Sequence, residues 1–253
     1  MKTVIRVVLT ISLLLGASGC AVGESTFRVT AEEVDGPGTL GLSPEGQPVS
    51  GIVVYFHGMD QNAEVSRLDG KHNAMTEQLL RAGYAVVSAD AEGNAFGNPA
   101  SQDAYRNLMD TARERYATDR VVFVAESMGA LPALLLWSSL APGEITAMAG
   151  ITPAMGMPIG VRSMDFVVAP WGGVVPESAD PMSWPPEKLA GNRIRLYVAS
   201  QDNVIPPGAT GEDFAKRFGV AADIELVQCH GGHVAETCFD GPDLVNWLAT
   251  ISH

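Results

Sequence analysis

The chain has 253 residues, of which 46% are hydrophobic and 18% charged, and its formal net charge is −13. That length and apolar content suit one full hydrophobic core, and no repeat, low-complexity stretch or linker divides the sequence. The acidic balance argues against nucleic acid, an anionic membrane surface or a polyanionic substrate as partner, and its simplest use is solubility.

The first residues read as an address. Lys2 and Arg6 precede an apolar run, Val7 to Leu15, that is too short to span a bilayer, and Ala17-Ser18-Gly19-Cys20 then reads as a cleavage site. Residues 1–19 are therefore expected to be a signal peptide and residues 20–253 a single domain. Small residues directly before Cys20 resemble the bacterial lipoprotein signal, with Ala17 standing where leucine is usual. The resemblance implies a lipidated Cys20, a membrane anchor and an extracytoplasmic protein, and without lipidation the same leader implies secretion. Of the three cysteines, Cys229 and Cys238 then remain, nine positions apart. They fit either a disulfide in an oxidising compartment or two buried thiols, and spacing alone does not fix the geometry.

After the leader, Thr26 to Val34 suits a strand, and the turn clusters Asp35-Gly36-Pro37-Gly38 and Ser43-Pro44-Glu45-Gly46 suggest a peripheral hairpin. Gly51 to Phe56 is a continuous apolar run fit for a buried parallel strand, and it stops at His57-Gly58-Met59-Asp60. Lys71 to Ala82 reads as a helix closed by Gly83, Tyr84 to Ala89 as a strand ending at Asp90, and Ser101 to Tyr116 as a long amphipathic helix. The β-branched run Val121 to Val124 then ends abruptly in Ala125-Glu126-Ser127-Met128-Gly129. A helix-forming run, Leu131 to Leu140, follows at once. Ile145 to Ile151 is a further strand. Residues 155–189 break the alternation with six prolines and two tryptophans. Arg193 to Ala199 (strand), Gly211 to Phe218 (helix), Asp223 to Gln228 (strand) and Pro242 to Ile251 (helix) complete the chain. Alternating strands and helices predict an α/β fold in three layers, a mainly parallel sheet with helices on both faces.

Ligands of such sheets bind beyond the carboxyl ends of the strands, and Ser127, Asp202 and His233 all fall at or just after those ends. A serine in a strand-to-helix turn exposes its hydroxyl beside the N–H groups of the new helix, where attack on a carbonyl needs it. In this order, on this alternation, the three residues resemble the α/β-hydrolase superfamily over roughly residues 49–252. The nucleophile elbow there is usually Gly-x-Ser-x-Gly, and here Ala125 replaces the first glycine. The resemblance implies Ser127 as nucleophile and His233 as its base, with Asp202 orienting the imidazole. His230 is the competing base. Gly231-Gly232 and the Gly-His pairing favour His233, and a Cys229–Cys238 bond would close a short loop around it. The expected oxyanion hole uses the backbone N–H groups of Met59 and Met128. His57 and Asp90 read as architecture.

Residues 155–189 lie where the superfamily inserts a cap. Met155, Trp171 and Trp184, with Met157 and Val174, could wall an apolar cleft over Ser127, or could simply pack the insertion onto the domain. No phosphate-cradling glycine loop and no zinc-ligand spacing occurs, so no cofactor and no metal is expected. The expected activity is serine hydrolysis of a small-molecule carboxylic ester through an acyl-enzyme. A serine peptidase on the same fold and a non-catalytic binding lipoprotein are the alternatives, since fold does not decide function. Nothing in the sequence sets the oligomeric state.

Overall fold

The computed structural model describes residues 7–9 and 27–251. The expected cleavage site and Cys20 lie outside the described residues. Within the expected leader, only Val7–Leu9 (β1) is described, and it pairs antiparallel with Val29–Glu32 (β2) at one edge of the sheet.

The sheet has nine strands among the described residues. Beyond β1 and β2 come Thr39–Pro44 (β3), Gly51–Phe56 (β4), Tyr84–Ala89 (β5), Val121–Glu126 (β6), Ala147–Ile151 (β7), Arg193–Ala199 (β8) and Asp223–Cys229 (β9). Their spatial order is β1-β2-β3-β5-β4-β6-β7-β8-β9. All pairings from β5 to β9 are parallel, whereas β3 runs antiparallel to β5 with Thr39 opposite Ala89. The hairpin expected before the sheet is therefore its antiparallel edge. Its second strand, β3, follows the first turn cluster and takes in Ser43 and Pro44 of the second, which pair with Thr30 and Val29, so the turn itself begins at Glu45.

Side-chain alternation sorts the helices. Ile52, Val54 and Phe56 of β4, with Val121, Phe123 and Ala125 of β6, face one apolar cluster. Pro99–Tyr116 (α2), Ala130–Ser139 (α3) and Gly211–Phe218 (α5) complete that cluster through Leu108, Leu134 and Phe214. Val53, Tyr55, Val122 and Val124 face the other, where Gly70–Arg81 (α1) and Gly241–Ala249 (α6) contribute Leu79 and Leu248. Two helix layers thus sandwich the sheet. Residues Ala130 to Trp137 of α3 are buried all round, as an evenly apolar helix requires. Its outer side is covered by residues 155–189, which form one short helix, Asp165–Val168 (α4), and a series of 3₁₀ turns.

Candidate active site

The neighbouring parallel strands β4, β6 and β7 bring Phe56, Ala125 and Gly150 side by side at their carboxyl ends. One residue pair beyond, the chain leaves β6 through Ser127, whose φ of 48° lies in the left-handed region. For a residue with a side chain that conformation costs about 1–2 kcal/mol, and it lifts the hydroxyl out of the sheet. Gly129 is fixed by contact: a Cβ there would sit 2.2 Å from the Phe56 carbonyl oxygen. Ala125 is fully buried in the cluster with α2 and α3, where its methyl packs without displacing the strand.

Asp202 follows β8 and His233 follows β9. His233 Nδ1 lies 2.8 Å from Asp202 Oδ2, and His233 Nε2 lies 2.8 Å from Ser127 Oγ. The histidine and aspartate side chains are each 15% exposed, enough shelter to strengthen the contacts while leaving the hydroxyl reachable. The other oxygen of Asp202, Oδ1, accepts from the N–H groups of Val204 and Ile205 at 2.9 and 3.2 Å. His230 is exposed and takes no part. The histidine loop is set by left-handed backbone at Gly231 and Val234 and tied to the acid loop by Gln201 N–H donating to Gly231 O at 2.9 Å.

Cys229 and Cys238 are bonded, with Cα atoms 5.2 Å apart, and the bond closes the loop that carries His233. A disulfide around so short a loop contributes about 2–3 kcal/mol. Reduction is therefore expected to loosen the His233 loop, seen as faster amide exchange at Gly231 to Val234, at temperatures where circular dichroism still reports a folded chain. Equal exchange in the reduced and oxidised protein would show that the loop holds the histidine without the bond.

Met128 is the second residue of the short helix that opens at Ser127, so its N–H is among the donors a helix start leaves without an internal acceptor. Met59 sits in the loop after β4, two residues beyond His57, whose carbonyl approaches Gly129 closely. The Gly58 carbonyl lies 2.7 Å from His57 Nδ1 and accepts from Gln61 N–H at 3.4 Å. His57 Nε2 meets the Asp90 carbonyl at 3.1 Å, and Asp90 Oδ1 accepts from Ala63 N–H, so both residues serve the architecture.

Of the expected cleft wall, Met155 and Met157 are fully buried and Trp184 is 7% exposed, its indole N–H donating to Ser178 O. They pack the insertion onto α3 and offer no surface to a substrate, because the insertion needs an apolar underside of its own. Trp171 remains half-buried with its N–H on the Phe96 carbonyl at 3.3 Å, beside the Phe96 and Phe166 rings, which meet at a tilt of 57°. A water-sized space of about 10 Å³ is lined by His57, Phe96, Tyr105 and Met128. A larger cavity of about 280 Å³ lies against the acid loop, among Thr152, Ser200, Asp202, Ile205, Thr210 and Glu212.

The parallel sheet, the strained serine turn and a histidine and acid after the last two strands make one arrangement. The chain has the α/β-hydrolase fold. It is similar to S-formylglutathione hydrolase from Agrobacterium tumefaciens at 13% identity, with a TM-score of 0.65, over 93% of this chain and 98% of that one. Esterase Pf2001 from Pyrococcus furiosus is 16% identical with a TM-score of 0.61, over 90% and 88% of the two chains. A cold-adapted esterase from an Arctic intertidal metagenomic library is 14% identical with a TM-score of 0.56, over 94% and 100%. No protein-family model and no curated protein matches the sequence.

Beside the serine turn lies a buried polar group that carries no motif of its own in the sequence. Glu126, immediately before Ser127, is 1% exposed. Its Oε2 accepts from Tyr55 OH at 2.9 Å and from His72 Nε2 at 2.8 Å, and its Oε1 accepts from Gln61 Nε2 at 2.7 Å. His72 Nδ1 in turn meets Asp69 Oδ1 at 2.8 Å. Burial opposes ionisation of Glu126, but the His72 hydrogen bond and charge, with Gln61 and Tyr55, outweigh it and hold the carboxyl below its ordinary range. Burial likewise opposes charging of His72, and the Glu126 and Asp69 carboxylates outweigh it and raise the imidazole above its ordinary value. The depressed Glu126 contributes stability above the ordinary carboxylate range and loses it as pH falls through its lowered value. The raised His72 contributes below the ordinary imidazole range and loses it as pH rises through its raised value. The ion pair therefore holds between the lowered carboxyl and the raised imidazole.

Among the described residues no group of three or more histidine, cysteine or acidic side chains is gathered as a metal site. A sequence signal for the buried pair existed. Glu126 falls on the same face of β6 as Val122 and Val124, and a carboxylate on a buried face requires a partner. The partner, 54 positions away, carries no such mark.

Proposed function

We propose that the chain is a serine hydrolase that cleaves small carboxylic esters through an acyl-enzyme on Ser127. The observation that carries this reading is the unbroken hydrogen-bonded line from Ser127 Oγ through the His233 imidazole to Asp202, with spacings of 2.8 Å.

His233 Nε2 takes the hydroxyl proton as Oγ attacks the ester carbon, and Asp202 stabilises the imidazolium that results. The carbonyl oxygen becomes an oxyanion held by the N–H groups of Met59 and Met128. Collapse of this intermediate breaks the bond to the alcohol, which leaves with the proton from His233. Water then repeats the sequence: its proton goes to His233, its oxygen to the acyl carbon, and Ser127 departs reprotonated. The thin cap and the aromatic group of Phe96, Phe166 and Trp171 suit a substrate of modest size with an apolar part.

A panel of p-nitrophenyl esters of rising acyl length, set against aminoacyl amides, tests the reading. Turnover of short esters with amides left intact supports it. Absence of turnover on every ester would end it.

The reading places the enzyme outside the cytoplasm on a lipidated Cys20. The cysteine pair suits an oxidising compartment, and palmitate labelling lost in Cys20→Ala is the direct test.

A further inference from the structure

The Glu126 network touches no reacting atom, yet it reaches three of the segments that the proposed mechanism uses. The oxyanion loop comes first. Gln61 spans the gap between Glu126 and that loop: its Nε2 donates to Glu126 Oε1 at 2.7 Å, and its Oε1 accepts from Gly58 N–H at 2.7 Å. Gln61 N–H also closes back on the Gly58 carbonyl. A trans peptide is planar, so its C=O and N–H point in opposite directions. The Gly58 carbonyl and the Met59 N–H belong to one peptide unit. That carbonyl meets His57 Nδ1 at 2.7 Å and the Gln61 backbone N–H at 3.4 Å, while the Gln61 side chain holds the preceding peptide through the Gly58 N–H, so fixing Gln61 fixes both peptides from which the Met59 N–H is aimed.

The elbow comes next, because Glu126 and Ser127 are adjacent and the buried carboxylate anchors the backbone from which the serine turns. The histidine loop is third. Lys71, next to His72 in the first turn of α1, donates from Nζ to the Val234 carbonyl at 2.7 Å, directly after His233. Phe239 packs edge-on against the His72 ring at 4.6 Å and lies beside Cys238. Asp69 caps α1 through the Lys71 and His72 N–H groups while holding His72 Nδ1.

We infer that the Glu126 carboxylate, held by His72 and Tyr55 and joined through Gln61 to Gly58, is a positioning group that aims the Met59 N–H as an oxyanion donor. The inference rests on the serine-hydrolase reading. Gln61 is the strut, and the His72–Glu126 pair is the fixed point it bears on. Donors arranged before the reaction need no reorganisation when the oxyanion forms, which is where most of their value lies.

Gln61→Met is the decisive variant. It keeps length and apolar contact, removes both strut hydrogen bonds and leaves His72 and Tyr55 on Glu126. Glu126→Gln, by contrast, strands a buried imidazolium and risks not folding. In Gln61→Met, kcat on a short p-nitrophenyl ester is expected to fall roughly 10- to 100-fold, short of the ~10²–10³ for outright loss of a donor. KM should stay within about twofold, because a contact made in the transition state alone moves kcat. An alkyl boronic acid, whose tetrahedral adduct on Ser127 puts an oxygen in the same hole, should weaken by the same factor, while the melting temperature falls by only a few degrees as Glu126 Oε1 loses its Gln61 partner.

A Gln61→Met enzyme within about twofold of the parent in kcat and boronate affinity would overturn the inference and leave the hydrolase reading intact. A parent chain without ester turnover would remove both.

Discussion

Ser127→Ala is expected to lower kcat on a short ester by about 10⁴- to 10⁶-fold while leaving substrate affinity nearly unchanged. The reason is structural as much as chemical. The hydroxyl is the one group on the line to His233 that can form the acyl bond, and its backbone holds φ of 48° whatever side chain it bears. Alanine therefore keeps the elbow and loses the nucleophile. Glycine at the same position loses the nucleophile and also relieves the left-handed strain. Ser127→Gly should raise stability by up to about 1 kcal/mol, part of the relief being offset by glycine's greater freedom when unfolded. Calorimetry of the two variants beside steady-state kinetics checks both halves. An alanine variant with more than a few per cent of parental turnover would mean that another group performs the chemistry.

Asp202→Asn should produce the second large loss, about 10³- to 10⁴-fold in kcat, in a chain that still folds. Asp202 Oδ1 accepts two backbone N–H groups, and Oδ2 faces His233. An asparagine must keep its oxygen on the backbone donors, so its NH₂ turns to the imidazole. His233 Nδ1 then has to accept, which moves the ring proton to Nε2, the atom facing Ser127. A nitrogen that carries a proton cannot take one. The loss is thus one of tautomer and not of place, and it separates cleanly from Asp202→Ala, which also frees the two N–H groups of the acid loop. Nitrogen NMR of His233 would report the exchanged tautomer directly, and an unchanged tautomer would refute this account.

Much of the architecture was legible because its signals are local. Tyr84–Ala89, Arg193–Ala199 and Gly211–Phe218 stand where the apolar runs and turn residues place them, since each is bounded by its own punctuation. Ser127, Asp202 and His233 could be singled out because each follows the carboxyl end of a parallel strand, and the fold brings their side chains together. What stayed hidden depends on tertiary contact. β3 follows one turn cluster and runs into the second with no strong alternation, and its place is set by pairing with β5. Met155 and Trp184 looked like a cleft wall because composition cannot distinguish the underside of an insertion from its open face. Gln61 and His72 lie in no motif and no apolar run, and only the fold carries them to Glu126.

The disulfide has a kinetic side as well. Cys229 and Cys238 are only nine positions apart, whereas the parallel pairs of the sheet join residues tens of positions apart and are slow to form. Closing a loop of about ten residues takes on the order of 10–100 ns. The two thiols therefore meet repeatedly in a chain that has no sheet yet, and an oxidant can join them before Ser127 is anywhere near. The loop that carries His233 can thus be constrained first, as a small preassembled part onto which the rest of the site later closes.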